Sequence, residues 1–278
     1  MQAAAGLVQQ LADDLNGGSL ELPMFPDSVV RIQRALGSKH FDIDEVIRII
    51  SSDPALAGRV LQVANSAAMR GAVEITEVRQ AVVRMGNKVV QSSVVAFALR
   101  QAQLGEELSH EARAELKEIW EESVELAARC YVIASAYTRV GADEALLAGL
   151  LSVLGRLYIL TKSQEFEGID RAEMDRILVT WHPAISKAIA ESWGMSKALA
   201  NALESQLETD LPFRGSASLT EILAAARLIL RHQASGQPLA EVDARLLQRL
   251  GLPTGADGAV TLEQHAEVLD EVRQSLRG

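Results

Sequence analysis

Asp53-Pro54-Ala55-Leu56-Ala57-Gly58-Arg59-Val60-Leu61-Gln62-Val63-Ala64-Asn65-Ser66-Ala67 is the stretch on which the reading of this chain turns. Asp53 offers a carboxylate to the free amides of a helix start, and proline at the first helical position loses nothing by lacking an N–H. Leu56, Val60, Leu61, Val63, Ala64 and Ala67 then recur at helical spacing over a broad apolar arc, with Arg59, Gln62 and Ser66 opposite. Asn65 falls on the border of that arc, where an amide is expected to tie the helix to a neighbouring backbone group rather than to hold a ligand.

The same signals continue on both sides. Upstream, Leu7, Leu11 and Leu15 suggest a short amphipathic helix ending at Gly17-Gly18, and the two prolines of Leu20-Glu21-Leu22-Pro23-Met24-Phe25-Pro26 exclude regular helix. Asp27-Ser28 can cap a helix carrying Val29, Val30, Ile32 and Leu36 that Gly37 closes, and Asp42 starts another with Val46, Ile47, Ile49 and Ile50. Downstream, Thr76 opens a helix with Val78, Ala81, Val82 and Met85, and Gly86 supplies the left-handed position that ends it before a further helix over 89–99.

The polar Gly105-Glu106-Glu107 divides this first lobe from a longer helix beginning near Ser109, in which Trp120, Val124, Ala127, Tyr131 and Ala134 keep helical spacing and Trp120 reads as core. Ala145 to Leu151 is apolar nearly all round, the mark of a fully buried helix. Helices are expected over 183–192 and after Ser196. Ser218 with Glu221, and Thr261 with Gln264, match capping boxes ahead of periodic apolar residues, so the tail reads as a small helical appendage.

Composition agrees with an all-α chain. Hydrophobic residues make up 48% of 278, dominated by Ala, Leu, Val and Ile, while aromatics supply 4%, a mixture that favours helix over strand. The net charge of -10, with no run of basic residues, argues against direct nucleic-acid binding. Cys130 stands alone in a helical pattern and reads as a small core residue. The start of the chain lacks the basic and apolar stretches of a signal peptide, and the greasy segment from Ala145 to Leu160 is interrupted by Ser152, Gly155 and Arg156. A cytoplasmic protein without membrane insertion is the expectation.

Several pieces, taken in order and spacing, resemble the HDOD family. They are Leu22-Pro23-Met24-Phe25-Pro26, the segment from Asp53 to Leu61, Ala64-Asn65-Ser66-Ala67 and the step from Ala81 to Met85-Gly86. Trp120-Glu121-Glu122-Ser123, the run from Gly149 to Leu157, His182 and Trp193 continue the likeness. The resemblance implies a two-lobed all-helical domain related to HD phosphohydrolases and used in bacterial signalling. It divides the chain into an N-terminal extension over 1–19, an HDOD-like domain over 20–212 and a C-terminal helical segment over 213–278. Within the domain, 20–107 form the N-terminal helical lobe and 108–212 a degenerate HD-like lobe.

The resemblance also implies where metal ligands would stand, and this sequence departs there. Glu122 occupies the position of a histidine after Trp-x, Ser152 and Val153 replace the His-Asp pair, and Gln206 and Leu207 replace paired histidines; His182 persists. One imidazole and one carboxylate do not make a hydrolytic metal centre. No catalytic residue, metal or cofactor is therefore expected. Asp53, Pro54 and Asn65 are assigned to structure, His182 to a helix start before Pro183, and His40, His110, His232 and His265 to the surface. The acidic run Glu106, Glu107, Glu111, Glu115, Glu118, Glu121 and Glu122 reads as a solvated helix face. No G-x-S-x-G elbow surrounds Ser123, Ser135 or Ser152.

Three functions remain in play. The leading one is a non-catalytic regulatory module that binds other signalling proteins. Another is a nucleotide-like small-molecule sensor using the former active-site cavity, lined by Glu122, Ser152, His182 and Gln206. The last is a residual metal-dependent phosphohydrolase.

Overall fold

The structure, a computed structural model, describes residues 2–18, 20, 27–38, 42–66, 69, 74–103, 110–235, 241–253 and 262–277. Among them there is helix and connection but no strand, as the composition and periodicity predict. A first group comprises α1 (Gln2–Gly17), α2 (Asp27–Gly37), α3 (Ile43–Ser52), α4 (Pro54–Ala64) and α5 (Val78–Gln103). A second comprises α6 (His110–Tyr137), α7 (Ala142–Leu151), α8 (Leu154–Ser163), α9 (Arg171–Ser192) and α10 (Lys197–Glu204). Then come α11 (Leu219–Ser235), α12 (Glu241–Arg249) and α13 (Ala266–Arg277). The segments 21–26 and 104–109, with His40, Ala67 and Thr261, lie outside the described residues, as do the side chains of His110 and Glu111.

The start signals at Asp42 and Asp53 act as read. Asp42 Oδ1 accepts from the Asp44 amide at 2.9 Å, and Asp53 Oδ1 accepts from the amides of Ala55 and Leu56 at 3.1 Å each. The second Asp53 oxygen accepts from Ser28 Oγ at 3.1 Å, so one carboxylate both starts α4 and pins it to the first turn of α2. At φ 70° Gly86 breaks α5 into two helical runs, a conformation that only glycine adopts without strain. Asn65 ends α4 and ties that end to Ile75. Its Nδ2 donates to Leu61 O at 3.0 Å and Ile75 O at 2.8 Å, and its Oδ1 accepts from the Ile75 amide at 2.9 Å.

In the first lobe α2, α3, α4 and α5 pack on one another; in the second α6 lies along α7, and α8 and α10 lie on α9. The two meet through α5 against α6 and α7, and at Gly37, where an added Cβ would lie 2.3 Å from the Trp193 carbonyl oxygen. Two more glycines bring helices of the second lobe together. A Cβ on Gly149 would sit 2.5 Å from the Ala127 backbone, and one on Gly155 would sit 2.0 Å from the His182 carbonyl oxygen. The apolar stretch Ala142–Ser163 is long and apolar enough to cross a membrane, but 78% of its most apolar window is buried in this core, and Ser152-Val153 divides it into α7 and α8.

Four readings of the sequence need correction. Pro183 does not begin a helix: α9 runs through it from Asp170, whose Oδ1 accepts from the Glu173 amide at 2.8 Å. Proline removes the bond to the carbonyl four residues back, and that residue, Val179, is 62% exposed, so water can take its place. Burial of Ile177, Leu178, His182, Ile185, Ile189 and Ala190 along one stripe carries the helix past the break. His182 is thus an interior residue of α9.

The segment after residue 212 is not peripheral. The Ser218–Glu221 box forms reciprocally, at 3.2 and 2.8 Å, and launches α11, whose Ile222, Leu223, Ala225 and Ile229 are buried against α6, α7 and α10. The inner end of the acidic run is not a solvated face either. Glu121 accepts from Arg277 Nη2 at 2.6 Å, and its neighbour Glu125 accepts from Arg273 Nη2 at 2.8 Å, which docks α13 on α6. Arg59 Nη2 reaches the last carbonyls of α13, Ser275 and Leu276, at 2.5 Å each, so α13 joins the two lobes. Finally, His232 and His265 are half-buried; the latter meets Tyr137 edge-on at 5.5 Å.

Candidate functional site

The site grows out of the close helix crossings. Because Gly155 has no side chain, α8 lies on the backbone of α9 at His182, and its amide donates to Ser186 Oγ at 2.9 Å. That contact sets Arg156, the next residue, beside α6. There the burial of Ile119, Trp120, Ser123 and Val124 leaves Glu122 at the edge of the core. From α11, Arg227 enters between them, flanked in sequence by the buried Ala224, Ala225, Ala226, Leu228 and Ile229.

The three form one ionic cluster. Glu122 Oε1 accepts from Arg227 Nη1 at 2.9 Å, and Glu122 Oε2 accepts from Arg156 Nη1. Arg227 Nη2 donates to Gln206 Oε1 at 2.6 Å, and the buried Gln206 amide donates onward to Leu203 O at 2.8 Å. His182 stands beside them, 3% exposed, and no described group reaches its Nδ1. Burial first, then the Arg227 and Arg156 charges, push its pKa down to about 3, so the ring is neutral at physiological pH.

Two clefts open on the cluster, of about 380 Å³ over Glu122 and Gln206 and about 520 Å³ over Arg156 and His182. They share Leu207, Arg227 and Arg231 as walls. A larger cavity of about 710 Å³ lies apart from them, between α4 and α13 around Arg59, Asn65 and Glu271. Of the cavity residues named from spacing, Glu122, His182 and Gln206 come together around Arg227. Ser152 and Val153 do not join them: both are wholly buried at the α7–α8 junction, where Ser152 Oγ donates to Gly149 O at 2.7 Å, and neither lines a cleft. Asp53, Pro54 and Asn65 serve helix starts and the tie to Ile75. Cys130 is fully buried, and burial pushes its thiol up to about 12.

Arg227 is the residue that the sequence reading missed. The signal was present, because an arginine inside an otherwise apolar stripe must find a partner in the core or leave it. Arg156 was seen within the Gly149–Leu157 motif without a role attached.

These donors do not fit a divalent metal. A hydrolytic centre needs several free carboxylates and imidazoles around an open position. Here both oxygens of the one carboxylate are committed to guanidinium groups, the remaining groups are an amide and a single imidazole, and a cation would be placed against two fixed positive charges. Among the described residues, no group of three or more His, Cys, Asp and Glu could hold a metal ion.

The family model of the HDOD domain matches residues 22–208, more than half of the chain. The chain belongs to the HDOD domain family. An uncharacterized protein of Treponema pallidum (strain Nichols) is 24% identical to this HDOD protein over 214 residues, which are 71% of the chain and 39% of the relative. The chain therefore spans well under half the length of that relative. A solved structure from Shewanella amazonensis SB2B, provisionally named a metal-dependent phosphohydrolase, is similar with a TM-score of 0.70 at 20% identity, covering 99% of this chain and 100% of its own. One from Marinobacter aquaeolei VT8, provisionally named a signal transduction protein, gives 0.61 at 20% identity over 99% of this HDOD chain and 66% of its own. Such identities establish a shared fold.

Proposed function

We propose that this HDOD protein is a non-catalytic signal-transduction module that acts through contacts with other signalling proteins. The observation that carries the reading is the closed Arg156–Glu122–Arg227 cluster at the centre of the second lobe. Guanidinium groups cannot activate water as a Lewis acid does, and they occupy the one carboxylate that a metal would require. The scaffold around the cluster, by contrast, is well built: the caps of α9, α10 and α11 form and its core is buried. A rigid helical frame without a reactive centre suits presentation of a surface to partners. The net charge of -10 favours partners with basic faces and association that weakens with salt. In this role the protein works in the cytoplasm, neither inserting into a membrane nor binding nucleic acid directly.

A second reading, a sensor of a small ligand in the same lobe, has its own support in the clefts beside the cluster and the partnerless Nδ1 of His182. The catalytic alternative is tested on the purified protein supplied anaerobically with Fe²⁺ or Mn²⁺. Expected are no stoichiometric metal in the second lobe and no hydrolysis of cyclic dinucleotides. Bound metal and turnover that both disappear in His182→Ala would overturn the proposal.

A further inference from the structure

We infer that the cleft over Arg156 and His182 is a binding site for a small organic phosphate, with the phosphate on the arginines and the apolar part of the ligand against Val179 and Leu207. The inference deepens the sensor reading and rests on the cluster not being a metal centre.

Charge leads to it. Around the cleft Arg156 and Arg227 share Glu122, Arg231 meets Asp243 at 3.3 Å, and Asp175, on the rim, is held by Arg171 at 3.2 Å. The cleft wall itself carries three guanidinium groups, of Arg156, Arg227 and Arg231, and one carboxylate, of Asp175, and at its buried end two arginines lean on the single carboxylate of Glu122. A buried positive charge without a counter-ion is costly, and an anion in the cleft would complement it. Arginine forks match phosphate oxygens in geometry as well as charge.

The orphaned imidazole is an independent observation. His182 lines the cleft, is 97% buried by its 3% exposure, and its Nδ1 has no partner among the described residues. A buried polar atom left unpaired costs free energy, and because Nδ1 itself is closed to the cleft a ligand oxygen would recover it only with a turn of the ring, through the tautomer carrying its proton on Nδ1. The other walls are apolar: Leu178 is buried, while Val179 and Leu207 are 62% and 41% exposed, unusual for large aliphatic side chains beside a cleft. At about 520 Å³ the space matches a compact small-molecule site.

The test uses the full chain labelled with ¹⁵N, titrated with orthophosphate, adenosine monophosphate and succinate at constant ionic strength set with sodium chloride. The His182 ring nitrogen resonance, assigned by its loss in His182→Gln, is expected to shift saturably with both phosphates and more tightly with the nucleotide. Melting temperature should rise with nucleotide concentration. Arg156→Gln is expected to weaken binding at least tenfold. Arg231→Gln, whose side chain is 65% exposed, provides a second variant that keeps the core intact and should weaken binding severalfold. A ring signal indifferent to phosphate, equal affinities in wild type and both variants, or succinate binding as well as the phosphates would overturn the inference. Manganese uptake at the cluster, measured separately by elemental analysis, would instead overturn the non-metal reading on which it rests.

Discussion

Replacing Asn65 with leucine is the sharpest test of how the first lobe is held. The Asn65 side-chain amide bridges the end of α4 to Ile75, donating to one Ile75 backbone atom and accepting from the other, and it also caps Leu61 O. Ile75 is buried, at 5% exposure. Leucine has a similar size and no polar atoms, so Asn65→Leu leaves the Ile75 N–H and C=O without partners. Each unpaired buried backbone group costs about 1–3 kcal/mol, so the loss of two should total about 2–6 kcal/mol. For a chain of this size that corresponds to a fall in Tm of roughly 4–24 °C. Gln62 lies one turn away on the exposed face and accepts from Arg59 Nη1, at 2.9 Å. Gln62→Ala should therefore change stability by no more than about 0.5 kcal/mol. Denaturant and thermal unfolding of the two variants decide the matter. Equal midpoints would refute the idea that this amide, rather than the apolar stripe of α4, fastens Ile75.

His182 is neutral when folded, with a pKa of about 3, whereas an unfolded histidine titrates near 6.5. Its contribution is intact above pH 6.5 and falls as pH drops towards 3, because the unfolded chain gains a proton that the folded chain refuses; by pH 5 the loss should be about 2 kcal/mol. His182→Gln should lose that much less stability than wild type between pH 8 and pH 5, and parallel pH profiles would contradict it. Gly155→Ala forces a methyl group to 2.0 Å from the His182 carbonyl oxygen, so α8 and α9 must separate, at about 2 kcal/mol or more. Gly58→Ala, in α4 with nothing within 4 Å, should instead stabilise by about 0.5–1 kcal/mol; the pair is compared by urea unfolding. Arg59→Met removes the bonds to Ser275 and Leu276, and amide exchange in α13 should accelerate roughly tenfold, as loss of about 1.4 kcal/mol would require.

Much of the fold was legible because its signals are local. Asp42, Asp53, Ser196 and the Ser218–Glu221 pair each act within three residues, and the chain does at those positions what capping chemistry asks. Pro183 misled for the same reason: a local rule took it for a helix start, while a buried stripe from Ile177 to Ala190 decided otherwise. The site was legible only in part. Spacing found Glu122, His182 and Gln206, because each holds a motif position, but it could not separate them from Ser152, whose hydroxyl turns back to its own helix. Arg227 lies 105 residues from its partner Glu122, and no periodicity connects them. The same limit explains why no basic patch was foreseen. Arg156, Arg227 and Arg231 are unremarkable along the chain and become a cluster only when α8 and α11 fold against α6.

The chemistry of the cluster bears on how the proposed non-catalytic module would respond to a signal. A metal ion is exchangeable and polarises water; a guanidinium is permanent, cannot take part in proton transfer near neutral pH, and holds oxyanions by direction as well as charge. Through such groups the second lobe is tied together from four helices, with Glu122 on α6, Arg156 on α8, Gln206 following α10 and Arg227 on α11. One turn along α6, Glu125 holds Arg273 of α13, and α13 in turn receives Arg59 from α4. An anion drawing Arg156 or Arg227 away from Glu122 would strip α6 of charge compensation at the helix that also anchors α13. Because the lobes are joined through α13 as well as through α5, the strength of the Glu122 contacts and the seating of the first lobe share one element. In the proposed role, that shared helix is where binding in the second lobe would alter the surface offered to a partner.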